Sequence, residues 1–384
     1  MSLADTDNIT LGNRNWREAA TLVIVAHDPP VPQQEHRTYD YRLLLLQRSN
    51  RSRSFPGVSV FPGGVVDDAD FSQNWLELFK HIGIQKEEDF GWDHMKGKPR
   101  AGPIAAPREE GLLPNDVAFR ICAIRETFEE SGVLLAGRPT EVMQSLFLRR
   151  EKTFAPASVF SGFATEEVGV KWQQRVHKDA SQFLVMCGQL GVVPNLWSLF
   201  ELSNILTPSL SSRRFDTLFY ICTLETVPKV IIDNKEMVGM QWLTPEEGIK
   251  KHCRQEMTLF MPQLTECARL CNFLKISEVQ EYSARQMDQG MEPEMPVVIT
   301  LKDCYIRVLS GDDCYPESVP IDKFVPIGSI DETVEENMKR CRNFNRFIRM
   351  PNGDFRLICN VKLPFGQQAP RCIDSRDWKN KSKL

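Results

Sequence analysis

The sequence predicts an α+β fold in which sheet and helices are layered, and three observations carry that prediction. Short apolar runs rich in β-branched residues or leucine recur at strand length. One long segment, Asn115 to Ser131, has helical periodicity with its own start and stop signals. The two kinds of element are mixed without the regular βαβ rhythm of a doubly wound sheet. The chain has 384 residues, 42% hydrophobic and 26% charged, the balance of a soluble globular protein. That length exceeds the ~100–200 residues of a common domain, so one elaborated domain or two are both open. No run approaches the ~18 apolar residues of a membrane span. A net charge of −4 exerts no global pull toward nucleic acid. The 11 cysteines contain no C-x-x-C pair, which argues against a disulfide scaffold and against a zinc ribbon.

In chain order, Thr21 to Ala26 and Tyr41 to Gln47 read as buried strands, separated by a loop whose prolines lie between Asp28 and Gln34. Val58 to Phe61 is a short strand running into the turn Pro62-Gly63-Gly64. The stretch Asp89 to Pro114, rich in Gly, Pro and charge, is an irregular excursion. The helix that follows is capped by Asn115 or Asp116, repeats Val117, Ile121, Ile124 and Phe128 at helical spacing, and stops at Gly132. Val133 to Leu135 is expected as a strand, Trp172 to Leu190 as helical, and Leu218 to Leu224 and Val238 to Leu243 as strands. Thr244 then caps a helix with Pro245 at its first position. Past Phe273 the character changes, and a hairpin is expected where Phe347 to Met350 and Phe355 to Cys359 flank Pro351-Asn352-Gly353-Asp354. No repeat of fixed period is present. Cys267 and Cys271, four apart on a helix, read as buried thiols.

Glu126, Glu129 and Glu130 stand at i, i+3 and i+4 of the capped helix, which puts three carboxylates on one face. Like charges so placed destabilise a helix unless a cation sits among them, and hard oxygen donors suit Mg²⁺ or Mn²⁺. The alternative is a solvated acidic face. Upstream lie Phe61-Pro62-Gly63-Gly64 and, six positions after Gly64, Asp70. Together with Arg125-Glu126 through Gly132-Val133 these residues resemble the Nudix box, G-x5-E-x7-R-E-U-x-E-E-x-G-U. Asp70 stands where the box has glutamate, and Phe71 to Ile124 replaces its usual seven residues, so the box is split by an insertion. A second signature runs through Leu44-Leu45-Leu46-Gln47-Arg48-Ser49, Arg53, Gly57 and Phe61 to Gly64. It resembles the pattern of Nudix hydrolases acting on coenzyme A, with Leu46 in place of threonine.

The resemblance implies a Nudix fold, a mixed β-sheet sandwiched between helices. It covers residues 19–273, with an N-terminal segment 1–18 before it, the insertion at 71–124, and a C-terminal extension 274–384. It implies a hydrolase that cleaves the diphosphate of coenzyme A and acyl-coenzyme A to adenosine 3′,5′-diphosphate and (acyl-)4′-phosphopantetheine. Glu126, Glu129 and Glu130, with the Gly64 carbonyl, would bind the metal, and Arg125 would fix a glutamate of the set. Glu236 is the candidate general base, a turn carboxylate being the other reading. Coenzyme A also carries a 3′-phosphate, for which arginine forks at Arg48, Arg53 and Arg214 are chemically apt. Solvated turns are the alternative for these. Two rivals stay open: a Nudix hydrolase of another diphosphate (NADH, a nucleotide sugar, capped RNA), or an idle ligand-binding Nudix module. The first residues lack the pattern of a secretory signal or transit peptide. The chain ends in Ser382-Lys383-Leu384, a tripeptide read by the peroxisomal import receptor, so a peroxisomal location is expected, a basic solvated polar tail being the other reading.

Overall fold

The computed structural model describes residues 16–29, 38–52, 56–92, 108–208, 214–287, 289–317, 319 and 328–380. Arg53, the middle of the Asp89 to Pro114 excursion and the final tripeptide lie outside the described residues. Among the described residues no helix is long and apolar enough to cross a membrane.

Strand β1 (Arg17–His27) is the axis of an eight-stranded mixed sheet. Its apolar run is nearly continuous because both faces are covered: Ala20, Leu22, Ile24 and Ala26 enter one core cluster, Val23 and Val25 the other. β2 (Tyr41–Arg48) pairs antiparallel with the end of β1. β3 (Ser59–Val60) pairs with β2, and β4 (Gly63–Val65) pairs with the start of β1 through Ala20 and Gly64. β5 (Ala136–Gly137) and β6 (Val193–Pro194) form a separate small pair. β7 (Phe200–Leu206) and β8 (Phe215–Leu224) extend the main sheet, β8 running parallel to β1. β9 (Met237–Leu243) joins β2, and β10 (Pro293–Glu294) joins β7 at the edge.

Helices cover the two faces. α1 (Trp75–Phe79), α2 (Asn115–Ser131), α3 (Pro139–Arg150), α4 (Glu166–Lys178) and α5 (Gln182–Leu190) pack on one side. α6 (Pro245–Cys253), α7 (Met261–Leu270) and α8 (Ile276–Gln286) pack on the other. The expected α+β sandwich is present. Beyond it, β11 (Val297–Thr300), β12 (Tyr305–Val308), β13 (Gly328–Ser329), β14 (Asn345–Arg349), β15 (Phe355–Cys359) and β16 (Ile373–Asp374) form a six-stranded sheet. Helices α9 (Val334–Arg340) and α10 (Ser375–Asn380) accompany it. The expected hairpin is β14 and β15. Phe347, Phe355, Leu357 and Ile373 share a core cluster with α6 and α7, which docks this sheet onto that side of the sandwich.

Several local expectations change. α2 begins at Asn115 with Pro114 in the cap position and no side-chain cap. Asn115 and Asp116 lie inside the helix, where the Asn115 amide oxygen accepts from Arg108 and the Asp116 carboxylate from Arg120. Val133 to Leu135 is buried but not a strand, because its carbonyls serve loops: Leu134 accepts from Phe160 and Leu135 from Asn195. The helical stretch Trp172 to Leu190 breaks between Lys178 and Gln182 into α4 and α5. The Leu113 N–H donates to the Phe71 carbonyl at 2.8 Å, so the inserted segment leaves and returns at adjacent points. Asn115 to Ile124, placed in the insertion by the motif spacing, are the first turns of α2. Trp75, Leu78 and Phe79 of the insertion are buried in the main core.

Candidate active site

Helix α2 lies against β1 and β4 and aims its glutamates at the Pro62-Gly63-Gly64 turn. Glu129 and Glu130 are only 6% and 4% exposed, which excludes the solvated acidic face. Arg125 organises the set. Its Nη1 donates to Glu126 Oε1 at 2.8 Å and to Glu129 Oε1 at 2.7 Å. Its Nε and Nη2 donate to the two carboxylate oxygens of Asp70, both at 2.8 Å, and Nη2 also to the Val65 carbonyl at 3.1 Å. The departure from the box at position 70 is therefore a buried bidentate partner for the box arginine.

The two glycines are needed for close approach. A β-carbon on Gly63 would stand 2.7 Å from the Thr21 Cα, and one on Gly64 would stand 2.6 Å from Glu126 Oε1. The Gly63 N–H donates to Glu130 Oε2 at 2.9 Å. Burial pushes the Glu126 carboxyl up to about 7, with Arg125 opposing and Glu129 adding to the rise. Burial, reinforced by Glu126, drives Glu130 well above the carboxylate range. These are carboxylates short of positive charge.

The glutamates open into a cleft of about 480 Å³. Arg48, at the end of β2, stands 3.9 Å from both Glu130 and Glu236 and donates to Ser52 Oγ at 2.9 Å. Glu236 lines the same cleft, half exposed, with its N–H held by Asp233 in a turn. Sequence reasoning missed His177 and Arg17, which also line it. His177 Nδ1 lies 3.5 Å from Glu129 Oε2, and that hydrogen bond raises the imidazole above its ordinary pKa. Nothing local in α4 marks it. Arg17 was legible: it is on the same strand face as Ala19 and Thr21, had β1 been started four residues earlier.

Residues 16–270 match the NUDT19 Nudix domain and residues 298–360 the NUDT19 C-terminal domain. The chain belongs to the NUDT19 Nudix family. It is 35% identical to the acyl-coenzyme A diphosphatase NUDT19 of Xenopus laevis, across 95% of this chain and 98% of that one. The Gallus gallus protein of the same name is 37% identical, across 97% and 99%. The Homo sapiens one is 35% identical, across 88% and 90%. Among solved structures it is similar to a NUDIX hydrolase from Alicyclobacillus acidocaldarius, at 18% identity and a TM-score of 0.48, covering 70% of this chain and 96% of that one.

Within this NUDT19 Nudix domain the expected arginines separate. Arg48 is at the cleft, and Arg53 lies outside the described residues. Arg214 is not among the residues that line the cleft. Phe215, Thr217 and Phe219 of β8 line the cleft, so strand alternation turns Arg214 away from it. Its Nε donates to the Thr207 carbonyl at 3.3 Å, Nη2 meets Met295 Sδ at 3.6 Å, and its guanidinium lies 5.3 Å from the Trp16 ring.

Nudix hydrolases generally work with divalent cations, and the donor set suits one. Glu126, Glu129, Glu130 and the Gly64 carbonyl are hard oxygen donors, and the buried carboxylates outnumber the cations facing them. Among the described residues no three such side chains already converge on one point, since Arg125 holds Glu126 and Glu129 and the Gly63 amide holds Glu130.

Proposed function

We infer that this protein is a metal-dependent diphosphatase of coenzyme A and acyl-coenzyme A. The observation that carries the reading is the buried Glu126/Glu129/Glu130 set, braced by Arg125 and Asp70, in a chain collinear with acyl-coenzyme A diphosphatases. Glu126, Glu129, Glu130 and the Gly64 carbonyl would hold Mg²⁺ or Mn²⁺, which when bound neutralises the diphosphate and activates water. Arg125 keeps two of the glutamates in register, and the Gly63 amide keeps the third. Arg48 meets phosphate oxygens beside Glu130. Glu236 takes the proton of the attacking water as the new P–O bond forms and the anhydride bond breaks. The leaving group is a phosphate ester, stable as an anion, and little acid assistance is required. One water is consumed, giving adenosine 3′,5′-diphosphate and (acyl-)4′-phosphopantetheine. We further propose that Ser382-Lys383-Leu384 delivers the enzyme to peroxisomes.

The test is incubation with Mg²⁺ or Mn²⁺ and a panel of coenzyme A, NADH, a nucleotide sugar and capped RNA, with products identified by mass. Coenzyme A should be the preferred substrate. Either cation should also raise Tm without substrate, by relieving repulsion among the buried carboxylates. Metal-supported turnover of another diphosphate with coenzyme A untouched would overturn the substrate, and inertness toward the whole panel would leave the idle module.

A further inference from the structure

Beside the glutamate cleft opens a second one, of about 560 Å³, and Ile205, Thr207, Phe260 and Pro262 line both. The two therefore adjoin at the end of β7 and the start of α7, with these four residues between them. The second cleft is walled from both halves of the molecule. Met257, Leu259, Met261 and Leu264 come from the segment entering α7 and from α7 itself, while Phe347 and Phe355 come from the C-terminal hairpin.

Several polar groups on its wall are engaged within the protein, while Gln255 and Arg349 also stand among the lining residues. His252 Nδ1 accepts from the Leu259 N–H at 3.2 Å, its ring packs 5.0 Å from Phe355, and burial keeps it below its ordinary pKa, hence neutral. Lys379 pairs with Asp354 at 2.6 Å, and the Arg307 guanidinium lies 5.3 Å from the Tyr305 ring. The volume is that of a small-molecule site, and the lining suits an apolar ligand.

Hydrolysis at a diphosphate divides the substrate into two arms. One carries adenosine and its 3′-phosphate, which needs cations and water. The other carries pantetheine and the acyl chain, which gains from an apolar wall. We propose that the second cleft is the acyl subsite, in which the acyl-pantetheine arm passes Thr207 and Phe260 and lies between α7 and the β14–β15 hairpin. The C-terminal sheet thereby becomes the wall that sets acyl-chain preference. This rests on the coenzyme A reading above.

The experiment has two arms. In the first, kcat/KM is measured for coenzyme A and for its acetyl, octanoyl and dodecanoyl thioesters, with the parent protein and Met261→Trp. A fully buried methylene changes binding up to about fourfold, so narrowing the cleft should lower the dodecanoyl-to-coenzyme A ratio at least tenfold. In the second, the parent protein without metal is photolysed with dodecanoyl-coenzyme A bearing a terminal diazirine. Adducts should map to Met257, Leu259, Met261, Phe347 or Phe355 and be competed by dodecanoyl-coenzyme A. An unchanged ratio in folded Met261→Trp, or adducts mapping elsewhere, overturns the subsite. Failure to hydrolyse any coenzyme A compound would instead sink the diphosphatase reading, and the adduct map would still report on the cleft.

Discussion

Replacing Asp70 with asparagine removes the carboxylate that accepts from both Nε and Nη2 of Arg125, at 2.8 Å each, where the two side chains are 1% and 4% exposed. Asparagine keeps one acceptor and turns an N–H₂ toward the guanidinium. Breaking a buried pair from one side costs about 3–5 kcal/mol, because the survivor is left charged and out of water. Arg125 retains Glu126 and Glu129, so the loss belongs at the low end, about 3 kcal/mol. In a sandwich of this size that is a fall in Tm of roughly 6–12 °C. A second effect follows from the same geometry: a guanidinium released from Asp70 binds Glu126 and Glu129 more tightly and competes with a cation. Loss of such an outer partner typically weakens metal affinity about 10–100-fold. The assay is a melt in chelator beside a Mg²⁺ titration at saturating coenzyme A. A variant within ~0.5 kcal/mol of the parent, with the same half-saturating metal, would refute the bracing role of Asp70. Asp70→Glu restores the box residue but adds a methylene to a filled site, at a cost of about 1–3 kcal/mol, and should keep metal affinity closer to the parent.

Other substitutions probe the remaining parts of the site. Gly64→Ala should fold, displace the Glu126 carboxylate and lower kcat by about a hundredfold, read in steady-state kinetics beside a melting curve. Glu126→Gln, Glu129→Gln and Glu130→Gln should each depress kcat by ~10²–10⁴ with partial rescue by added Mn²⁺, and Glu236→Gln should do so without rescue. Wild-type turnover in the last would return Glu236 to a turn role. Arg48→Ala, beside Glu130, should lower kcat/KM roughly 10–100-fold for coenzyme A and dephospho-coenzyme A alike, because its position is that of a diphosphate contact. A loss confined to coenzyme A would reassign it to the 3′-phosphate. Deleting Ser382-Lys383-Leu384 should leave hydrolysis intact and the protein cytosolic in cells lacking the full-length copy, scored by microscopy.

Features encoded by consecutive residues were legible before any fold was known. The i, i+3, i+4 spacing of Glu126, Glu129 and Glu130 set them on one helical face, Gly132 ended that helix in the left-handed region, and Thr244-Pro245 opened α6. The apolar runs of β1, β2 and β8 read as strands for the same reason, since backbone periodicity is local. Tertiary structure alone decided the rest. Whether the glutamates faced water or a crowded interior depended on β1, β4 and the 62–64 turn closing over α2. Asp70 reaches Arg125 across 55 positions of chain, which no spacing rule spans. His177 is brought to Glu129 by packing of α4 on α2, and Arg214 is turned away by the register of β8. The apolar cleft exists only because the C-terminal hairpin docks beside α7. Its lining residues come from segments far apart in the chain, and their convergence is a property of how the elements pack.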